Sequence, residues 1–196
     1  MNTALDVTSG FCWSIVYLMA MILGFQRKTW YLPKLAICQN FVWELLVVIS
    51  RVQSGSYGVA FVIQLVWLLL DIGVLITWLR YDRTGRRPWP QKAGLLLAVL
   101  AAMYLLVYRA GQWEFAAFLI NAIMSTGFVL RTLQDGFYQG SIVIAAAKLV
   151  GTLAATILNG WIWWNPVLLW LGGLCFMLDG YYFITILYKK RTGEKF

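Results

Sequence analysis

Long apolar runs separated by short polar segments dominate the pattern of this chain. Each run approaches the length of about 20 residues that an α-helix needs to cross a bilayer. The predicted spans are Gly10–Phe25, Leu35–Ile49, Val59–Leu79, Ala93–Tyr108, Phe115–Leu130, Gly140–Leu158 and Pro166–Tyr188. The second is short for a bilayer and has room to extend past Arg51. The pattern therefore predicts an all-α polytopic membrane protein, a bundle of seven transmembrane helices.

Composition supports this class and leaves no room for a soluble domain. The 196 residues are 61% hydrophobic and 12% charged, whereas a soluble domain is about 45–50% apolar and about 25% charged. We therefore expect residues 1–196 to form a single transmembrane domain and the protein to be a multi-pass protein of the cell membrane.

The net charge of +8 predicts orientation rather than a nucleic-acid partner. Basic residues cluster between the apolar runs, as the positive-inside rule expects. Thirteen of the 16 Lys and Arg residues lie in alternate loops and the tail: Arg27, Lys28, Lys34, Arg80, Arg83, Arg86, Arg87, Lys92, Arg131, Lys189, Lys190, Arg191 and Lys195. The opposite side has only Arg51 and Arg109. These counts predict an N-terminus outside and a C-terminus in the cytoplasm.

Charged side chains inside apolar spans are costly, at about 2.5–3.5 kcal/mol each on insertion scales, and those that persist are candidate functional groups. The charged and amide residues within the spans are Asn40, Glu44, Gln64, Asp71, Asn121, Lys148 and Asp179. Five of them, on five helices, lie about 12–15 Å from the cytoplasmic end of their span at 1.5 Å per residue. This shared depth predicts one polar pocket inside the bundle.

Helical spacing assigns these residues to faces. Asn40 lies one turn before Glu44, and Gln64, Trp67, Asp71 and Trp78 form one stripe on the third span. In the C-terminal part of the chain, the seventh span has the stripe Gly172, Cys175, Asp179 and Tyr182. The sixth span has a face of mostly small residues, namely Lys148, Gly151, Thr152 and Ala155. Aromatic and amide side chains near the acids are predicted to line the substrate site, where electron-rich rings stabilise cations. They are Trp43, Gln64, Trp67, Asn121, Tyr181 and Tyr182.

Two roles are open for Asp71, either as a structural ion-pair partner of Lys148 or as a member of the acid set. If Asp71 and Lys148 pair, Glu44 and Asp179 are left without a cation. Two such carboxyl groups in a low dielectric are expected to be neutral, because burial and mutual repulsion both disfavour their ionised forms. A neutral buried carboxylic acid can donate a proton.

The residue types narrow the chemistry further. The chain has no His, which removes the commonest general base and metal ligand. Its three Cys residues lack zinc-type spacing, and no phosphate loop or aspartate-rich diphosphate motif is present. We therefore expect no cofactor and no metal, and proton chemistry in an apolar cavity remains.

Two segments resemble those of a known family. Asn40-Phe41-Val42-Trp43-Glu44 is similar to the N-x-x-W-E segment in the second helix of the small seven-helix membrane terpene cyclases, and Leu178–Tyr182 is placed like the family's second acid segment. This family includes fungal meroterpenoid and indole-diterpene cyclases and actinobacterial drimentine-type cyclases. The resemblance extends over the whole chain in length and span count, and it implies Glu44 and Asp179 as the two catalytic acids.

The resemblance implies a non-canonical class II cyclase that is independent of metal. A carboxyl group would protonate a terminal alkene or epoxide on the isoprenoid chain of a prenylated indole, diketopiperazine or polyketide. The implied partners are this lipophilic substrate and the lipid bilayer. From their positions in the spans, Asn40, Asp71 and Lys148 are predicted to support the acids. The sequence leaves the ring pattern, the initiating group and the oligomeric state open.

Two other functions of seven-helix membrane proteins fit the sequence less well. A proton-coupled small-molecule transporter would also need buried acids, but the chain shows no two-fold repeat and no paired broken helices. A retinal protein would need a Schiff-base lysine, and Lys148 lies in the sixth span rather than the last.

Overall fold

The computed structural model describes residues 2–82, 89–133 and 140–193. Within these ranges the chain is helical and contains no strand. The helices are α1 (Asn2–Arg27), α2 (Lys34–Ser54), α3 (Val59–Tyr81), α4 (Trp89–Tyr104), α5 (Trp113–Thr132), α6 (Ile142–Thr156) and α7 (Pro166–Thr192). Two of them continue as π-helical turns, α4 through Leu105–Arg109 and α6 through Ile157–Ile162.

In the described part of the chain, seven helices are long and apolar enough to cross a membrane, which confirms the predicted span count. The protein is an integral multi-pass membrane protein. The second helix runs past Arg51 to Ser54 and gains the length that the predicted segment lacked. At the sixth span, the helix begins at Ile142 rather than at Gly140, because Ser141 adopts an extended backbone and its hydroxyl accepts a bond from the Ile144 N–H.

One compact unit comprises residues 1–19 and 121–196, and in it α6 packs against α7. Glycines allow the close approach of these helices, as is common in membranes. A methyl group at Gly172 would overlap the side chain of Thr156, and one at Gly151 would lie 3.1 Å from Cβ of Cys12 on α1. The small-residue face predicted on α6 is therefore a helix contact. The stripe predicted on α7 is also confirmed, since its four members are all buried.

The second unit comprises residues 20–120, in which α2 packs against both α3 and α4. Gly73 of α3 lies against the side chain of Met21. At the end of α3, Asp82 accepts bonds from Lys34 at 3.0 Å and from the Trp78 indole at 3.0 Å. These contacts tie the beginning of α2 to the end of α3.

Orientation in the membrane remains a prediction from the basic residues. Four of the counted residues, Arg83, Arg86, Arg87 and Lys195, lie outside the described residues. We expect a C-terminal tag to be cytoplasmic and a reporter inserted within 161–165 to be extracytoplasmic. Protease protection in sealed vesicles measures both positions. Finding the two termini on one side of the membrane would contradict seven spans.

Candidate active site

A buried polar network surrounds Lys148 in the unit formed by residues 1–19 and 121–196. The Lys148 ammonium, which is 0% exposed, donates to both carboxylate oxygens of Asp179 at 2.7 and 2.8 Å. It also donates to Oδ1 of Asn121 and to Oγ of Ser125, each at 2.6 Å. Thr152 completes the network by donating from Oγ1 to Asp179 at 2.8 Å. The charges are thus paired and densely hydrogen-bonded, as buried charges must be.

The predicted ion pair between Asp71 and Lys148 is therefore wrong, because Asp179 holds this cation. The expectation that Asp179 lacks a cation fails with it. The prediction used depth along each span, and Asp71 and Asp179 both satisfied that criterion. Which carboxylate reaches an amine also depends on the order and rotation of the helices, and depth does not contain that information.

Three residues that contact Lys148 or Asp179 were not predicted from the sequence to do so: Ser125, Thr152 and Trp13. Ser125 lies one turn after Asn121, so the face it shares with that amide was a usable signal. Thr152 was assigned only to helix packing. Trp13 of α1 lies with its ring centroid 5.4 Å from the Lys148 ammonium, which is cation–π distance, and nothing in the sequence linked the two.

A second pair of buried acids lies in the other unit, on the packed helices α2 and α3. Glu44 is 3% exposed and Asp71 is 1% exposed. Oε2 of Glu44 and Oδ2 of Asp71 have no hydrogen-bond partner, and among the described residues neither side chain forms an ion pair. The two carboxyl groups are close enough for the charge of one to act on the other. Among the described residues, the buried acids that lack a cation are thus Glu44 and Asp71.

Asn40 is buried one turn before Glu44, as its spacing predicted, and its Nδ2 has no hydrogen-bond partner. Three polar side chains on one stretch of α2 and α3 therefore have hydrogen-bonding capacity that their own unit leaves unused. Such groups are uncommon in protein interiors and are frequently functional.

Because Lys148 pairs with Asp179, replacing Asp71 is expected to leave no cation unpaired. Asp71→Asn should not lower stability by stranding a lysine, and removing one of two adjacent acids should leave the melting temperature equal or higher. Asp179→Asn is the matched comparison, because it is also a buried substitution of Asp by Asn but breaks an ion pair. Thermal unfolding of both variants in lipid nanodiscs measures the difference. A larger loss for Asp71→Asn than for Asp179→Asn would contradict the assignment.

A cavity of about 250 Å³ opens in the unit of residues 20–120. It is lined by Trp43, Val47, Ser50, Arg51, Gln64 and Trp113. Trp43 and Gln64 were predicted to bind substrate, whereas Arg51, Ser50 and Trp113 were not identified from the sequence.

The remaining predicted residues divide between the two units. Asn121 joins the Lys148 network, and Tyr182 is fully buried with its ring 4.6 Å from that of Phe128. Trp67 is half-buried on α3. By contrast, Tyr181 is 48% exposed and lies outside the polar network. That the five polar residues share one pocket stays a prediction.

Comparison with known proteins adds independent information. A sequence profile of the Pyr4-like transmembrane terpene cyclases matches residues 1–192. The Pyr4-family terpene cyclase mfmH of Annulohypoxylon moriforme is 26% identical over 176 residues, which span 82% of this chain and 71% of mfmH. The terpene cyclase pyr4 of Aspergillus fumigatus is 25% identical over 213 residues, with 96% and 86% of the two chains covered. The terpene cyclase paxB of Penicillium paxilli is 22% identical over 215 residues at the same coverage.

The profile match spans nearly the whole chain, including the helices that hold Glu44, Asp71, Lys148 and Asp179. With seven membrane-spanning helices and buried acids, the chain belongs to the Pyr4-like transmembrane terpene cyclases.

Proposed function

We propose that this membrane terpene cyclase works by proton-initiated, class II cyclisation of the isoprenoid chain of a prenylated substrate. The observation that carries the proposal is the buried pair Glu44 and Asp71, which has no cation among the described residues. Burying two ionised carboxylates without a counter-charge is very costly, so at least one of them takes up a proton. An acid held neutral in this way is available to a substrate that enters from the lipid.

Glu44 is the proposed proton donor. Asp179, the other acid implied by the family resemblance, is ion-paired with Lys148 at 2.7 Å. Its two oxygens already accept hydrogen bonds from that ammonium and from Thr152. Asp179 is therefore proposed to position α6 and α7 as an anion rather than to give the first proton.

The proposed reaction is balanced without a co-reactant. The O–H bond of the Glu44 carboxyl breaks, and its proton forms a C–H bond at a terminal alkene as the π bond breaks, or an O–H bond at an epoxide as the C–O bond opens. The resulting carbocation is attacked by the next double bond of the chain, and each attack forms one C–C bond. Loss of a proton from the last cation, or capture by a nucleophile of the substrate, ends the cascade, and a returned proton regenerates Glu44.

The substrate is proposed to be a prenylated indole, diketopiperazine or polyketide. Asp71 and Asn40 are proposed to support this step, because Asp71 lies on the helix that packs against α2 and Asn40 lies one turn before Glu44 on α2 itself. Hydrogen bonding to the conjugate base as charge develops would strengthen the acid. The two carboxyl groups should titrate as one coupled unit.

Incubation of membranes containing the protein with farnesylated and geranylgeranylated indoles, diketopiperazines and polyketides tests the proposal. Each substrate is offered with and without a terminal epoxide, and cyclised product is measured by mass spectrometry after chromatography. We expect cyclisation to persist in the presence of a strong chelator. Loss on chelation with rescue by magnesium would instead indicate ionisation of a diphosphate and would contradict the proposal.

A further inference from the structure

The cavity between α2 and α3 differs in character from the acid pair. Three polar atoms at its wall are buried without a hydrogen-bond partner: Nε of Arg51, Nε1 of Trp43 and Oε1 of Gln64. Arg51 forms no ion pair with the described residues. Nε of Arg51 and Nε1 of Trp43 are hydrogen-bond donors, and Arg51 is also a cation. The cavity therefore favours a ligand with oxygen atoms that accept hydrogen bonds.

The aromatic wall indicates the shape of that ligand. Trp43 and Trp113 both line the cavity, and the Trp113 ring lies 5.5 Å from that of Tyr108. Tyr108 is itself fixed, because its hydroxyl donates to the backbone oxygen of Leu46 at 3.2 Å. Flat aromatic walls beside a guanidinium suit a planar ring system, which can stack while its oxygens receive hydrogen bonds.

The cavity is aligned with the acid pair along both helices. Arg51 lies seven residues after Glu44 on α2, and Gln64 lies seven residues before Asp71 on α3. Seven residues are about two helical turns, so each pair shares a face and is separated by about 10 Å. Since α2 and α3 pack against each other after a short connection, Arg51 and Gln64 form one layer and Glu44 and Asp71 another.

We infer that this cavity holds the head group of the prenylated substrate, a planar ring system with hydrogen-bond-accepting oxygens, with the prenyl chain directed along α2 and α3 toward Glu44. The inference rests on the proposed function. Arg51 donates to the ring oxygens, Oε1 of Gln64 accepts from a hydroxyl of the ring system, and Trp43 and Trp113 cover the ring faces. The head group thereby sets which isoprene unit reaches the acid.

The test measures binding with ligands that cannot react. The full chain in phosphatidylcholine nanodiscs is titrated with a hydroxycoumarin that has a saturated farnesyl chain, and with benzene and indole compounds that have the same chain. We expect the hydroxycoumarin to bind best, and Arg51→Met to weaken it by about 10–100-fold, as for a hydrogen bond to a charged group. Gln64→Leu should weaken it less, and Arg51→Lys should retain part of the affinity.

Arg109→Met is the matched control, because Arg109 is exposed and does not line the cavity. The inference is overturned if Arg51→Met leaves hydroxycoumarin binding unchanged, or weakens all three compounds equally. It is also overturned if added anionic lipid displaces the hydroxycoumarin from the wild type, since Arg51 would then hold a lipid phosphate. Arg51-dependent binding without turnover of the unsaturated compounds would refute the proposed function and leave the head-group site standing.

Discussion

Replacing Glu44 by glutamine should reduce cyclisation by about 10²–10⁴-fold, the usual contribution of general acid catalysis. The amide keeps the shape of the side chain and removes the transferable proton. Because Glu44 has no cation to strand among the described residues, the variant should stay folded in the membrane. Unreacted linear substrate should accumulate in an assay of membranes by chromatography and mass spectrometry.

Glu114→Gln provides the matched control, since Glu114 is exposed in the first turn of α5. This variant should cyclise substrate at the wild-type rate. Asp71→Asn in the same assay shows how strongly the second acid supports the first, and complete loss of product at normal yield would place Asp71 among the catalytic residues. Near wild-type turnover by Glu44→Gln would mean that the cascade begins with another group.

Lys148→Met should destabilise the protein by about 3–5 kcal/mol, because it leaves the buried Asp179 carboxylate without its counter-charge. Asp179 is 0% exposed, so no water replaces the ammonium at low cost. The thermal midpoint in nanodiscs and the yield of monodisperse protein should both fall. Asp179→Asn should lower stability in the same direction.

The double variant Lys148→Met with Asp179→Leu removes both charges and should recover part of the lost stability, since replacing a whole buried pair by apolar groups is often neutral. Lys190→Met is the control, because Lys190 is exposed near the end of α7. Equal stability of Lys148→Met and the wild type would show that the ion pair does not hold α6 to α7. If the double variant regains stability but does not cyclise substrate, the ion pair is needed for the reaction as well as for packing α6 against α7.

The sequence determined the span count, the helix class and the inward faces of several helices. These depend on local properties, namely the length of apolar runs and the period of 3.6 residues. On α7, the spacing of Gly172, Cys175, Asp179 and Tyr182 was sufficient to place all four in the core. The motif around Trp43 and Glu44 was sufficient to indicate the family, which the profile match over residues 1–192 confirms.

The tertiary structure decided which acid has a cation. Asp71 and Asp179 lie at similar predicted depth, so the sequence could not distinguish them as partners of Lys148. The distinction arises from packing, because α5, α6 and α7 bring Asn121, Lys148 and Asp179 within hydrogen-bond distance. The cavity at Arg51 likewise depends on α2, α3 and α5 meeting at Trp113, which no periodicity within a single helix specifies. Contacts between helices depend on their rotation and neighbours, and these are properties of the folded chain alone.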